Sequence, residues 1–89
     1  MIKKKVTIIN KLGLHARAAV KFVNLANRFT SSVKIEKGGN KIDGKSILGI
    51  LTLAAVQGTE ITLCVSGKDE QSAMEALVAL IQDRFNEVG

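Results

Sequence analysis

Two side chains able to handle an anion stand close together near the start of the chain. His15 is the single histidine among 89 residues, and Arg17 follows two positions later in the segment GLHARAA, residues 13–19. An imidazole nitrogen can attack phosphorus and carry the phosphoryl group. A guanidinium offers a forked set of donors that matches phosphate oxygens. The pair therefore indicates a phosphate site, and a histidine that only caps a helix or fills the core edge is the competing interpretation.

The histidine lies where the sequence changes from strand-like to helix-like. From Ala16 onward the apolar residues follow helical spacing, whereas residues 10–14 are typical of a loop. The first amides of such a helix, at Ala16 and Arg17, lack acceptors within the helix and carry the positive end of its dipole. That potential disfavours the imidazolium and stabilises an attached phosphoryl dianion. The amides at the helix start thus favour both the neutral imidazole that accepts the phosphoryl group and the phosphorylated ring.

A second phosphate-related pattern occupies residues 39–46. Its letters, GNKIDGKS, satisfy the P-loop pattern of nucleotide-binding proteins and stand between a predicted strand and a predicted helix. Asp43 would place a carboxylate against a polyphosphate, which is an unfavourable like-charge contact. Residues 41–43 also fit an extended hairpin arm better than a cradle of converging amides. A P-loop nucleotide binder is therefore an alternative that the surrounding sequence disfavours.

A short and unusually apolar helix is predicted to follow Ser46. The serine suits the N-cap of a helix over residues 47–55, and Gly58 can help to end it. A short surface helix needs one apolar stripe, yet this segment has apolar residues on more than one face. Some must be exposed, and an apolar patch beside basic side chains is typical of a protein-docking surface. The apolar residues are Ile47, Leu48, Ile50, Leu51, Leu53 and Ala54.

The composition favours one folded domain, residues 1–89, and disfavours several functions. The net charge of +5 favours a negatively charged partner, which could be nucleic acid, an anionic membrane, an acidic protein or a phosphate group. The chain has no Tyr or Trp, and its three phenylalanines fall on the apolar faces of predicted helices, so it lacks the aromatic platform of RNA-binding sheets and we expect no nucleic acid. One histidine and Cys64 cannot build a zinc site or an internal disulfide. No apolar run approaches the ~20 residues of a membrane span, so we expect no membrane insertion and a cytoplasmic protein. We also expect no metal and no cofactor.

Hydrophobic periodicity predicts four strands and three helices. Alternation predicts strands over residues 2–9, 33–37, 41–43 and 61–65, of which the middle two form a hairpin around residues 38–40. Helical spacing predicts a helix from Ala16, the short helix after Ser46, and a last helix capped by Asp69. The apolar stripe of the last helix comprises Ala73, Ala76, Leu77, Leu80, Ile81 and Phe85. The order βαββαβα, with one polar face on each element, predicts an α+β sandwich with helices on one side of a sheet.

With these segments assembled, the chain resembles the HPr family, the histidine-phosphorylated carriers of the bacterial phosphoenolpyruvate-dependent phosphotransferase system. GLHARAA is similar to the family's active-site signature, and GKSILGIL, residues 44–51, is similar to its serine-site signature. The resemblance covers essentially the whole chain and implies an open-faced β-sandwich, with a four-stranded antiparallel sheet and three helices on one face. The stretches NKLGLHARAA and GKSILGILTLAA are similar to the nitrogen-related branch, often called NPr. Many members have proline at position 18, where Ala18 stands here and is expected to loosen the first helical turn slightly.

The resemblance also implies a function and the residues that perform it. His15 receives a phosphoryl group from phospho-enzyme I, through Nδ1 in the family, and passes it to a histidine of an EIIA-type domain. The protein is then a covalent phosphohistidine intermediate between two enzymes and does not turn over a free substrate. Arg17 stabilises the phosphate, and Ser46 is the position that an HPr kinase/phosphorylase modifies in some relatives. We expect a monomer.

The docking surface implied by the resemblance lies beside the first helix. It comprises Ile47, Leu48 and Leu51, and we add Lys21 from the basic face of the first helix. This surface also motivates the alternative function, a regulatory docking module of the nitrogen and potassium branch that acts through phosphorylation-dependent protein binding.

Overall fold

Residues 1–87 are described by the computed structural model, in which one sheet carries helices on a single face. The strands are β1 (Ile2–Thr7), β2 (Ser32–Lys37), β3 (Asn40–Asp43) and β4 (Glu60–Ser66). The helices are α1 (Ala16–Ala26), α2 (Ile47–Thr52) and α3 (Glu70–Gln82), followed by a short 3-10 turn at Arg84–Asn86. This order confirms the predicted βαββαβα arrangement. In the part of the chain described, no helix has the length and apolarity that crossing a bilayer requires.

The sheet has the strand order β1-β4-β2-β3, and every neighbouring pair is antiparallel. Val65 of β4 lies opposite Ile2 on one side and Val33 on the other. Because side chains alternate along a strand, this register collects the apolar residues on one face of the sheet. The buried residues of that face are Val6, Val33, Ile35, Ile61, Leu63 and Val65. The open-faced sandwich implied by the resemblance is therefore confirmed.

The helices cover this face through their apolar stripes. Helix α1 buries Ala18, Ala19, Phe22, Val23 and Ala26, and α3 buries Ala73, Met74, Leu77, Val78 and Ile81. Phe22 and Leu77 are fully buried, and burying one such side chain stabilises the fold by about 1.5–3 kcal/mol. The core thus fixes α1 against the sheet, which gives its first turn a defined position.

Two predicted boundaries are wrong by a few residues. Strand β1 ends at Thr7, although Ile8 still donates to the carbonyl of Thr59 at 2.8 Å. Helix α2 ends at Thr52, because Ala54 has a positive φ of 51° that no right-handed helix accommodates. Gly58 does not end this helix, and its amide donates to the carbonyl of Ile8 at 2.7 Å.

The prediction that Phe85 continues the stripe of α3 is also wrong. The helix ends at Gln82, and Arg84, Phe85 and Asn86 have φ values of 56°, 54° and 63°. Phe85 is fully buried nonetheless, so the turn inserts its ring into the core from outside the helix. Such left-handed conformations cost non-glycine residues about 1–2 kcal/mol each. The surrounding contacts therefore have to hold this turn in place.

Asp69 stands at the start of α3 as predicted, but its carboxylate does not cap the helix. It accepts hydrogen bonds from the amides of Thr30 and Ser31 at 2.9 and 3.0 Å, and from the Ser31 hydroxyl. These bonds hold the loop between α1 and β2 against the start of α3.

Candidate active site around His15

His15 is the N-cap residue of α1. Its backbone is extended, with φ −80° and ψ 178°, and its carbonyl accepts from the Ala19 amide at 2.9 Å. The imidazole makes no hydrogen bond to the first turn of the helix. Within residues 1–87, no side chain is bonded to the amides of Ala16 and Arg17, which have no acceptors inside the helix. These donors are therefore available to an anion carried by the ring.

The loop before the helix is fixed by close backbone packing. Gly13 has a φ of +68°, and a Cβ at this position would lie 2.5 Å from the carbonyl oxygen of Ala55. The next amide, of Leu14, donates to the same oxygen at 2.8 Å. Asn10 is fully buried, and its Nδ2 donates to the Gly13 carbonyl at 2.7 Å. These contacts leave His15 little freedom of backbone position.

A carboxylate from the other end of the chain meets the imidazole. The Nε2 atom of His15 forms a hydrogen bond with Oε2 of Glu87, and Nδ2 of Asn10 donates to Oε1 of the same carboxylate at 3.0 Å. About a quarter of the His15 side chain and an eighth of the Glu87 side chain are exposed. Sequence reasoning missed both Asn10 and Glu87, and it found no acid beside His15.

The electrostatics around Glu87 favour its ionised form. Partial burial raises the pKa of its carboxyl, but hydrogen bonds from Asn10 and His15 oppose this effect. The positive charges of His15 and Lys21 act in the same direction as these bonds. The pKa of Glu87 therefore lies below its ordinary value of 4.5. His15 thus faces a carboxylate and not a neutral acid.

The two basic residues predicted for this site have different surroundings. Arg17 is exposed in the first turn of α1, and its guanidinium forms neither a hydrogen bond nor an ion pair with any residue from 1 to 87. Lys21 is partly buried, and its Nζ donates to the Phe85 carbonyl at 2.5 Å. Arg17 is therefore available to a ligand, whereas Lys21 holds the strained turn that precedes Glu87.

Ser46 is the N-cap of the short apolar helix, as the sequence predicted. The Ser46 hydroxyl caps α2 by accepting from the Gly49 amide at 3.0 Å. Ile47 and Leu48 are exposed, Leu48 by 77%, whereas Leu51 packs partly against the core. Helices α1 and α2 pack against each other. Two further exposed apolar residues that sequence reasoning missed, Leu12 and Val56, lie on the loops around Gly13.

The P-loop alternative does not have the required geometry. Residues 40–43 form the edge strand β3, which pairs with β2, so the segment is extended and its amides do not converge on one point. Lys45, which would contact nucleotide phosphates, donates instead through Nζ to the Phe29 carbonyl at 2.9 Å. Asp43 accepts from the Lys45 amide at 2.9 Å. This segment is a hairpin arm and its exit, not a phosphate cradle.

A four-stranded open-faced sandwich with a histidine at a helix N-terminus is the arrangement that the resemblance to histidine phosphocarriers implied. A family model described as the PTS HPr component phosphorylation site matches residues 2–83. The phosphocarrier protein HPr of Cupriavidus necator is 53% identical over 87 residues, which are 98% of each chain. The chain belongs to the HPr family of phosphocarriers of the phosphotransferase system.

Solved structures agree with this assignment. A crystal structure of HPr from Thermoanaerobacter tengcongensis superposes with a TM-score of 0.96 at 43% identity and full coverage of both chains. The catabolite-repression protein Crh of Bacillus subtilis, described as a domain-swapped, intertwined dimer, has a TM-score of 0.77 at 50% identity. That comparison covers 94% of this chain and 97% of Crh.

Proposed function

We propose that this protein accepts a phosphoryl group from phospho-enzyme I on His15 and donates it to an EIIA-type domain. The observation that supports this most strongly is the position of the imidazole at the start of α1. There it is next to unbonded amides of the first turn and to the exposed Arg17. The family to which the chain belongs supplies the general role of a phosphocarrier.

The transfer requires no change in the number of protons on the ring. A lone pair of the neutral imidazole attacks phosphorus, while the bond from phosphorus to the donor nitrogen breaks and returns its electron pair to the donor. Delivery to the next histidine reverses these two events. The amides of Ala16 and Arg17 and the Arg17 guanidinium stabilise the dianionic group, and each charge-assisted hydrogen bond contributes about 1.5–3 kcal/mol.

The test is phosphorylation of the purified protein with enzyme I and phosphoenolpyruvate. We expect one acid-labile phosphoryl group, and we expect His15→Ala to abolish it. Because His15 is the only histidine, loss of the label identifies the site without ambiguity. Ser46→Ala serves as the matched control and should still be labelled. Acid-labile labelling of folded His15→Ala protein would contradict the proposal.

Ser46 is proposed as a regulatory phosphorylation site for an HPr kinase/phosphorylase. A phosphate there adds about −1.5 to −2 charge beside the exposed Ile47 and Leu48. Repulsion and desolvation would then weaken docking of an acidic partner. We expect Ser46→Asp to bind enzyme I more weakly than Ser46→Ala, as measured by calorimetry. Equal affinities of the two variants would argue against electrostatic regulation at this position.

A regulatory docking module is the second candidate function, supported by the large exposed fraction of Leu48. In that case Leu48, together with Ile47, Leu51 and Lys21, contacts a partner, and phosphorylation only adjusts the affinity. Leu48→Ser would then abolish partner binding, while His15→Ala would still bind and still support the cellular response. If His15→Ala loses the response while retaining affinity, the carrier function is the relevant one.

We propose a cytoplasmic monomer, and we propose an acceptor from the nitrogen-related branch on the basis of the NPr-like stretches. Transfer assays with EIIA-type domains of the sugar and nitrogen branches would distinguish the acceptors by rate. Sedimentation at several protein concentrations would detect a swapped dimer of the kind described for Crh.

A further inference from the structure

The contact between His15 and Glu87 fixes which ring nitrogen carries the proton. The Glu87 carboxylate can only accept, so the Nε2 atom facing it must be the protonated nitrogen. In the neutral ring, the lone pair is then on Nδ1. His15 is the N-cap residue of α1, but its imidazole makes no hydrogen bond to the first turn, so that turn does not engage Nδ1 as an acceptor.

Glu87 is itself held in one orientation from its other side. Nδ2 of Asn10 is a donor only, and it bonds to Oε1 at 3.0 Å while also bonding to the Gly13 carbonyl. Asn10 is fully buried, so its amide is a rigid support. The buried Asn10 therefore orients the Glu87 carboxylate, and the carboxylate in turn orients the imidazole of His15.

We propose that Glu87 is a positioning residue for His15: supported by Asn10, it holds the ring proton on Nε2 and so presents Nδ1 for phosphorylation. This inference rests on the proposed function and specifies how it is performed. When Nδ1 bonds to phosphorus, the ring becomes cationic, and the carboxylate compensates that charge. When the bond to phosphorus breaks, the electron pair returns to Nδ1 and the proton is still on Nε2. The leaving group is then a neutral imidazole and not an imidazolate.

The donor and acceptor pattern makes a specific prediction for Glu87→Gln. Asn10 would continue to donate to the oxygen of the new amide, which places the amide nitrogen against Nε2 of His15. That nitrogen donates, so it favours the ring tautomer with the proton on Nδ1 and the lone pair on Nε2. In this tautomer Nδ1 has no lone pair with which to attack phosphorus. Glu87→Ala only removes the partner and leaves the ring free to choose its tautomer.

The experiment measures the initial rate of phosphorylation and the ring tautomer in the same variants. Nitrogen-15 NMR reports the tautomer of the neutral ring, and the single histidine makes the assignment unambiguous. We expect Nε2–H in the wild type and a shift toward Nδ1–H in Glu87→Gln. We expect the phosphorylation rate of Glu87→Gln to fall on the order of tenfold to a hundredfold, and that of Glu87→Ala to fall less.

The matched control is Glu75→Gln, which makes the same charge change on the exposed face of α3. It should leave the rate and the tautomer as in the wild type. The proposal is overturned if the wild-type ring carries its proton on Nδ1, a measurement that needs no variant to fold. It is also overturned if Glu87→Ala is slower than Glu87→Gln. In either case wild-type labelling at His15 would still support the proposed function, so the two failures are distinguishable.

Discussion

Asp69 and Glu87 are two carboxylates that join distant parts of the chain in different ways. Asp69 holds the loop at residues 30–31, and its donors are two backbone amides and one hydroxyl. Glu87 contacts a buried amide side chain and the imidazole of His15. Both carboxyls have pKa values below their ordinary range, with that of Asp69 lowered to about 2.

The difference lies in what the donors can do. The Ser31 hydroxyl has the largest effect on the Asp69 pKa. This hydroxyl and the two backbone amides that bond to Asp69 keep their protons at all ordinary pH values. The imidazole of His15 can change its tautomer, its charge and its covalent state. A low carboxyl pKa alone therefore does not distinguish a structural carboxylate from a functional one, whereas the identity of the donor does.

The largest effect is expected for Gly13→Ala, which disturbs the loop that carries His15 and leaves the Asp69 contacts unchanged. The new Cβ would lie 2.5 Å from the Ala55 carbonyl oxygen at a φ of +68°. The left-handed conformation and the overpacking together should cost roughly 2–5 kcal/mol of unfolding free energy. Phosphorylation should slow as well, because the loop carrying His15 is displaced. Chemical denaturation and the labelling rate are the measurements.

Gly38→Ala is the matched control for this change. Gly38 also has a positive φ, of +55°, but its Cβ would meet no atom within 4 Å. Only the conformational cost of about 1–2 kcal/mol should remain, and labelling should be unchanged. If the two variants lose the same stability, the close packing of Gly13 against Ala55 does not position the site.

A smaller effect is expected for Asp69→Asn, and it should be confined to stability. The substitution replaces a carboxylate with an amide that cannot satisfy the same three donors. The melting temperature should fall, while folded protein is phosphorylated at the wild-type rate. Glu87→Gln should show the opposite pattern, with a slower rate and a smaller change in melting temperature. If both variants lose rate and stability together, the distinction between the two carboxylates fails.

The stability that Asp69→Asn loses should depend on pH in a definite direction. A carboxyl with a lowered pKa stabilises the fold fully above its unfolded value, here 3.8 for Asp69, and loses that contribution as pH falls through about 2. The stability difference between wild type and Asp69→Asn should therefore be constant from neutral pH down to about 3.8 and vanish near 2. Denaturant titrations at several pH values would measure it. A difference that disappears well above 3.8 would indicate that Asp69 does not bond the loop in solution.

The Asp69 region shows which structural features local sequence patterns predict and which they do not. The periodicities of two and 3.6 residues predicted every strand and helix, because each element buries one face against a common core. Asp69 was correctly placed at the start of α3, but the donors that its carboxylate binds come from a loop 38 or 39 positions away. Side-chain partners across such distances follow from tertiary packing, which local patterns do not encode.

The His15 site divides in the same way. His15, Arg17 and Ser46 could be found from residue types placed at predicted helix starts. Glu87 could not, since it follows three non-glycine residues with positive φ, a turn that has no sequence signal. Phe85 lies four residues after Ile81, so its helical spacing predicted the wrong conformation. The ring is buried either way, and that made the two cases indistinguishable from sequence.

The smallest effect is expected for Asn86→Ala, which tests the turn that carries Glu87 to His15. Asn86 has a φ of 63°, and alanine tolerates this region less well than asparagine, so stability should fall by about 0.5–1 kcal/mol. Asn24→Ala makes the same substitution on the exposed face of α1, where helix propensity should raise stability by roughly 0.5 kcal/mol. Opposite signs in denaturant unfolding would place Asn86 in a left-handed turn in solution. If Asn86→Ala is stabilising too, the turn is not held as described, and Glu87 reaches His15 by another route or not at all.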